Sequence, residues 1–238
     1  MELKAEGISR RYFRKAKGRN VFFAVKETDF TLPEGALTEI VGRSGSGKST
    51  FLNMLAGLLT PTSGRVLLDG TDLYALDDAE RSRVRGSSIG VIPQGQTGLQ
   101  SLTVLENVLL PCTMYGEKGR RERAMELLGS MGIGELAGVY PNELSGGEMR
   151  RMAIARAMIR EPSILLADEP TGDLDDENTA EVLSLLRKAA DGGVSVLLVT
   201  HEKEAERYAD SVWRMNDGIL TRTAGNSLLS GTRQGMNS

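Results

Sequence analysis

Gly42-Arg43-Ser44-Gly45-Ser46-Gly47-Lys48-Ser49-Thr50 is the stretch that decides how this chain folds. Gly42 to Ser49 fits the pattern G-x-x-x-x-G-K-[ST] without a mismatch. Leu37-Thr38-Glu39-Ile40-Val41 before it reads as a buried strand, and Ser49 to Leu59 after it reads as a helix. Between a strand and a helix, successive backbone N–H groups of such a loop point inward and form an anion nest. The helix start adds unsatisfied donors and the positive end of its dipole. Glycines are needed because phosphates approach the backbone closely and some φ values are positive. Gly42, Ser44, Gly45, Ser46, Gly47, Lys48, Ser49 and Thr50 are therefore expected to surround the phosphates of a nucleoside triphosphate. Lys48 is expected to reach the β- and γ-phosphates and Ser49 to ligate Mg²⁺. A plain Gly/Ser-rich turn is the competing reading, and it leaves the agreement of strand, loop and helix unexplained.

The 238 residues suit one large α/β domain or a domain with a subdomain. Hydrophobic residues make up 40% and charged residues 26%, as in a water-soluble globule. A net charge of −3 gives no electrostatic reason to expect nucleic acid as the main partner. The single cysteine, Cys112, excludes an internal disulfide and a cysteine-based metal cluster. Met1 to Glu6 lacks the apolar core of a secretory signal. No run approaches the roughly 18 apolar residues of a spanning helix. A protein that is soluble, or held at a membrane by another molecule, is expected.

Residues 1–41 read as strands, with a turn at Leu32-Pro33-Glu34-Gly35. Further strands are expected at Arg65 to Leu68, before the Asp69-Gly70 turn, and at Ser88 to Gln94. From about Val104 to Leu144 the periodicity becomes helical, in Val104 to Leu110 and again in Arg123 to Met131, separated by Gly116-Glu117-Lys118-Gly119. Ser163 to Glu169 and Val194 to Thr200 read as buried strands flanking an amphipathic helix at Asn178 to Ala190. Strands alternating with helices predict a mostly parallel sheet covered on both faces. Asn216-Asp217-Gly218 is a hairpin turn signal. Residues 224–238 are rich in Gly, Ser and Asn and read as a flexible tail.

The remaining chemistry lies at strand ends, where open α/β sheets bind ligands. Asp168 and Glu169 follow four apolar residues; Asp168 is placed to hold Mg²⁺ and Glu169 to polarise an attacking water. Solvated loop acids are the competing reading. His201, the only histidine, follows the strand Val194–Thr200 and projects from the same edge. Gln94 also ends a strand, where its amide can touch both Mg²⁺ and the water. Tyr12 offers a ring on which adenine can stack, with Phe13 as a rival. The basic run Arg10, Arg11, Arg14, Lys15, Lys17, Arg19 reads first as a solvated hairpin, and otherwise as a contact for phosphate or lipid headgroups.

A second glycine motif, Leu144-Ser145-Gly146-Gly147-Glu148, completes a series with Gly42–Thr50, Gln94, Ile164–Glu169, Gly172-Asp173-Leu174-Asp175 and His201. In that order these motifs resemble the nucleotide-binding subunit of an ABC transporter over about residues 1–223. The closer similarity is to the ATPases of lipoprotein release, macrolide export and antimicrobial-peptide resistance, through Asp168 to Asp175, Leu105 to Pro111 and Tyr208-Ala209-Asp210. The resemblance implies a P-loop NTPase core with an N-terminal antiparallel β subdomain and an inserted α-helical subdomain at about 95–150.

It also implies that Ser145, Gly146 and Gly147 bind the γ-phosphate held by a second copy, and that Asp175 lies in the loop crossing that interface. Glu169 becomes the general base and His201 the γ-phosphate switch. Two ATP molecules are sandwiched in a head-to-tail homodimer, and hydrolysis releases it. The helical insert faces membrane-spanning permease subunits, so the chain is expected in the cytoplasm, peripheral on the inner face of the membrane. A non-transport role, signalling through a membrane partner as in cell division, shares the same nucleotide chemistry. A P-loop kinase leaves Leu144–Glu148 unexplained, and a DNA-repair ATPase needs long insertions that this chain lacks. Two departures from the family pattern stand out: Gly95-Gln96-Thr97-Gly98-Leu99 is unusually polar and glycine-rich, and Glu148 replaces the commoner glutamine.

Overall fold

Apolar residues at alternate positions start the chain as a strand, and Leu3, Ala5 and Ile8 of β1 (Leu3–Phe13) are fully buried. The structure is a computed structural model that describes residues 1–13, 21–95 and 98–223. Arg14, Lys15, Lys17 and Arg19 of the basic run, Gln96 and Thr97, and the tail 224–238 lie outside the described residues.

β1 pairs antiparallel with β2 (Val21–Leu32), with Ala5 opposite Phe30 and Phe13 opposite Val21. After the Pro33–Gly35 turn, β3 (Leu37–Val41) leads into the phosphate loop and α1 (Lys48–Leu55). β4 (Ser63–Leu68) and β5 (Thr71–Asp72) complete an antiparallel sheet of order β2-β1-β4-β5.

Next comes α2 (Asp78–Ser88), a helix that the sequence reading did not anticipate. It is mostly polar, packs the partly buried Val84 against the core, and fully buries only Ser88. Its start is fixed by a reciprocal cap, in which Asp77 accepts from the Glu80 N–H at 2.7 Å while Glu80 accepts from Asp77 N–H. The strand expected from Ser88 is correspondingly shorter, β6 (Ile89–Ile92).

The helical stretch forms α3 (Val104–Met114), α4 (Arg121–Ser130) and α5 (Gly146–Met158). Buried Asn107 fixes the approach to α3. Its amide donates to the carbonyls of Leu99, Leu102 and Thr103, each at 3.0 Å, and its oxygen accepts from Leu99 N–H at 2.8 Å. A buried amide with all these partners avoids the penalty of an unpaired polar group. Cys112 is buried in the same cluster.

β7 (Ile164–Asp168), α6 (Asp176–Asp191), β8 (Ser195–Thr200), β9 (Ser211–Asn216) and β10 (Ile219–Arg222) finish the described chain. The second sheet runs β10-β9-β3-β8-β7-β6, and every pairing in it is parallel except the β9–β10 hairpin. Side chains alternate across it. Ile40, Leu166, Leu197 and Val199 meet α1 and the antiparallel sheet on one face. Leu37, Leu165, Val196 and Leu198 meet α3 to α6 on the other. Phe51 of α1 is completely buried and meets Phe30 edge-on at 5.4 Å, which in turn meets Trp213 at 5.3 Å. Such a burial stabilises by about 1.5–3 kcal/mol per side chain, with about 0.5–1.5 kcal/mol more for each aromatic pair. This packing clamps the phosphate-loop helix between the two sheets. Among the described residues no helix is long and apolar enough to cross a membrane.

Candidate active site

The order of the parallel strands gathers the sequence motifs at one sheet edge. β3 ends at Val41, β7 at Asp168 and β8 at Thr200, so the loops that follow converge. The phosphate loop takes the expected backbone, with φ of 79° at Gly45 and 110° at Gly47. A methyl at Gly42 collides with the Met215 carbonyl, and one at Gly47 with the Ala24 carbonyl, so glycine is required at both. α1 begins with no side-chain cap and no acid in its first turn. The Phe51 N–H is bonded to Gly47 O at 2.9 Å, and the donors ahead of it precede the helical ladder. An uncapped start of this kind is a ready anion site.

Lys48 is 4% exposed, and its ammonium donates to the carbonyls of Gly42 at 2.7 Å and Arg43 at 3.2 Å. It also lies 3.5 Å from Glu169 Oε1. Ser49 donates to Asp168 Oδ1 at 3.1 Å. Burial pushes the Asp168 carboxyl above the usual carboxylate range, against the opposing pull of that serine hydrogen bond.

Glu169 stands one residue beyond β7 with φ of 45°, an uncommon conformation for a residue with a Cβ. Its N–H is held by Val199 O at 2.8 Å, which fixes the turn against β8. Holding a non-glycine residue there costs on the order of 1–3 kcal/mol. Glu169 Oε2 accepts from Gln94 Nε2 at 3.2 Å and lies 3.3 Å from His201 Nδ1. One carboxylate therefore touches a lysine at the start of α1, a glutamine from the loop after β6 and the histidine that follows β8. His201 is half-exposed and reaches outward from the same edge.

A cleft of 490 Å³ opens over this group, and Tyr12, Ser44, Gly45, Lys48, Gln94 and Glu169 are among its walls. Tyr12 lies within β1, stacks on Phe22 at 5.6 Å and has the Arg10 guanidinium 4.8 Å from its ring. Phe13 is 74% exposed and is not among the residues lining the cleft.

Ser145, Gly146, Gly147 and Asp175 do not line this cleft. Ser145 caps α5 and Asp175 caps α6. Glu148 closes the α5 cap, accepting from Ser145 N–H at 2.7 Å and its hydroxyl at 2.8 Å, and the backbone bond holds its carboxyl below the usual range. Asp175 accepts from the Asn178 N–H at 2.8 Å, and its carboxyl is likewise lowered. Gly147 leaves no space for a Cβ against Asn178, so α5 and the start of α6 approach closely.

The structure brings to the site residues that the sequence reading did not assign to it. Asp217 and Gly218 line the cleft, and the Gly218 N–H donates to Ser46 O at 2.9 Å. The β9–β10 turn thus braces the phosphate loop. Its φ values of 46° and 76° make it the hairpin turn that Asn216-Asp217-Gly218 predicted. Arg150 of α5 is 6% exposed and donates to Gly95 O at 2.6 Å and Gly172 O at 3.4 Å. It ties the loop after Gln94 and the loop after Glu169 to the helix that Ser145 caps.

The ABC transporter family pattern matches residues 25–172, more than half of the chain. The chain belongs to the ABC transporter ATP-binding family. Among its relatives in this ABC family is the ABC transporter ATP-binding protein YtrE of Bacillus subtilis, 40% identical over 208 residues, covering 86% of this chain and 90% of that protein. The lipoprotein-releasing system ATP-binding protein LolD of Aquifex aeolicus is 40% identical over 196 residues, covering 82% and 88%. The dimeric ABC transporter cassette MJ0796 superimposes with a TM-score of 0.83 at 35% identity, covering 94% of this chain and 99% of that one. A second structure of MJ0796, also a dimer, is a post-hydrolysis state bound to ADP and phosphate. This ABC chain is accordingly an ATP-binding, ATP-hydrolysing subunit of the transporter type.

Proposed function

We propose that the cleft binds Mg²⁺-ATP and that Glu169 is the general base for its hydrolysis within a head-to-tail homodimer. The observation that carries this reading is the convergence of Lys48, Gln94 and His201 on the Glu169 carboxylate at 3.2–3.5 Å. In the proposed roles the loop from Gly42 to Thr50 cradles the phosphates, Lys48 swings from its carbonyl partners to the β- and γ-oxygens, and Tyr12 stacks on adenine. Glu169 accepts the proton of a water that attacks the γ-phosphorus, and the leaving ADP oxygen is stabilised by Lys48. His201 donates to a γ-phosphate oxygen. Ser145, Gly146 and Gly147 open α5 as a second anion nest for the ATP of the partner, with Asp175 at the crossing.

The donor set suits magnesium: Ser49 hydroxyl, Asp168 carboxylate and the Gln94 amide oxygen are hard ligands, and Ser49 already meets Asp168. Mg²⁺ uses one or two carboxylates plus substrate phosphates rather than a full protein cage. Among the described residues no cage of three or more His, Cys, Asp or Glu occurs. When bound, the ion would neutralise charge on the β- and γ-oxygens.

Residues 1–223 form the ATPase unit in this reading, with the insert at about 95–150 docking on a separate membrane permease. The chain then works at the inner face of the membrane without entering it. The relatives named for a lipoprotein-releasing system favour export or extraction of a hydrophobic or peptide-like cargo. Glu169→Gln tests the chemistry. The turnover rate should fall by about 10²–10⁴-fold with ATP binding kept. Hydrolysis at the wild-type rate by that variant would remove Glu169 from the role.

A further inference from the structure

The turn of the β9–β10 hairpin forms one wall of the cleft, between its aromatic end and the phosphate loop. β2 fixes that placement. Phe22 is opposite Tyr12 and stacks on it, and two residues further on the Ala24 carbonyl lies so close to Gly47 that a methyl there would collide with it. Gly218 packs on the same stretch: a methyl built on it would stand 3.0 Å from Ala24 O and 3.2 Å from Phe23 O. Two backbone bonds lock the turn in position, Gly218 N–H to Ser46 O at 2.9 Å and Lys26 N–H to Gly218 O at 2.8 Å. Two strand residues span about 6.5 Å. That is comparable to the reach of a pentose between a base on Tyr12 and phosphates in the loop.

Asp217 precedes Gly218 in this turn, lines the cleft and is exposed to it. Among the described residues its carboxylate has no hydrogen bond or ion pair. The other carboxylate in the cleft wall, Glu169, meets Lys48, Gln94 and His201. A bare carboxylate repels phosphates and works against an anion cleft unless the ligand brings donors to it. The φ of 46° accounts for a small polar residue here, since Asp and Asn both take that conformation, but it does not account for the charge. The part of a nucleotide that carries donors between base and phosphates is the ribose. Its hydroxyls are bound by a carboxylate in other nucleotide sites. Hydroxyl-to-carboxylate bonds are charge-assisted and stronger than neutral ones.

We propose that Asp217 accepts hydrogen bonds from the ribose hydroxyls and makes the site selective for ribonucleoside over deoxyribonucleoside triphosphates. This rests on the reading of the cleft as the ATP site. The test is calorimetric titration of the full chain with ATP and with 2′,3′-dideoxy-ATP, with Mg²⁺ withheld so that no hydrolysis occurs. Asp217→Gly and Asp217→Asn both suit the turn, because Gly-Gly and Asn-Gly are favoured in it, and circular dichroism checks the fold. Glycine removes every acceptor, whereas asparagine leaves a neutral one. The wild type should bind ATP about tenfold or more tighter than the dideoxy analogue, as the loss of a hydrogen bond to a charged group implies. In Asp217→Gly the ratio should fall to near one through weaker binding of ATP, and Asp217→Asn should lie between. A ratio near one in the wild type, or a ratio unchanged in Asp217→Gly, would overturn the proposal. So would equal tightening of both nucleotides in the variants, which would make the carboxylate a simple repeller of phosphate. Lys48→Ala separates the two levels of the argument. If it binds ATP as the wild type does, the cleft is not the ATP site and both readings fall; if it loses ATP while Asp217→Gly keeps the wild-type ratio, only the role of Asp217 falls.

Discussion

Glu39 is a carboxyl in the wrong place for stability, and its effect can be measured. It sits in the middle of β3, three residues before the phosphate loop, with no exposure and, among the described residues, no hydrogen-bond partner for either oxygen. Its strand neighbours are Leu198 and Val212, and Arg187 of the adjacent α6 is committed to Asp210 and Asp191. The charged group that acts on it is Glu206, which repels it. Burial first, and Glu206 second, push the Glu39 carboxyl from 4.5 up to about 8.

An acid whose folded-state pKa is raised stabilises fully below its unfolded value, and that stability is lost as pH rises toward the folded value. At 1.36 kcal/mol per pKa unit the whole loss is about 5 kcal/mol, and the part between pH 5 and pH 8 is about 4 kcal/mol. Glu39→Gln keeps the shape and removes the titration; its unpartnered amide carries a cost that does not vary with pH. Urea unfolding of both proteins across this range isolates the effect, because all other titrating groups are common to the pair. The wild type should lose about 4 kcal/mol relative to the variant on going from pH 5 to pH 8. Parallel curves would refute the argument and mean that Glu39 is hydrated or paired in solution.

Two further outcomes follow from the site. Tyr12→Ala removes the proposed stacking surface, worth ~1–3 kcal/mol, and should raise the KM for ATP roughly 5- to 150-fold with little change in kcat; equal KM values for the two proteins would assign the base elsewhere. Arg150→Ala cuts two charge-assisted bonds from α5 to the Gly95 and Gly172 carbonyls. It should lower kcat about tenfold or more while nucleotide affinity stays, since a small misplacement of loops bearing Gln94 and Glu169 is costly. Steady-state kinetics showing a change in KM alone would contradict that.

The nucleotide end of the molecule was readable because its residues obey local rules. A glycine loop needs a strand before it and a helix after it, and Asp168, Glu169 and His201 each close an apolar run, so strand order alone brings them together. What escaped was either too polar or too distant. Helix α2 has no apolar stripe to betray it, only the Asp77 and Glu80 cap signature, which was there to be read. The bracing of Ser46 by Gly218 joins residues far apart in sequence and depends on β9 lying beside β3. Arg150 follows Leu144–Glu148 closely in sequence, but its link to the Gly95 and Gly172 carbonyls joins segments far apart in the chain and shows only in the fold.

The central claim is that one subunit's phosphate loop needs its twin's Ser145–Gly147 turn before ATP is cut. Sedimentation velocity of Glu169→Gln, with and without Mg²⁺-ATP, tests it most directly. The account predicts a monomer alone and a stable dimer with nucleotide, abolished by adding a bulky residue at Gly146. A variant that binds ATP yet sediments as a monomer, beside a wild type whose rate per protomer is unchanged on dilution, would contradict it.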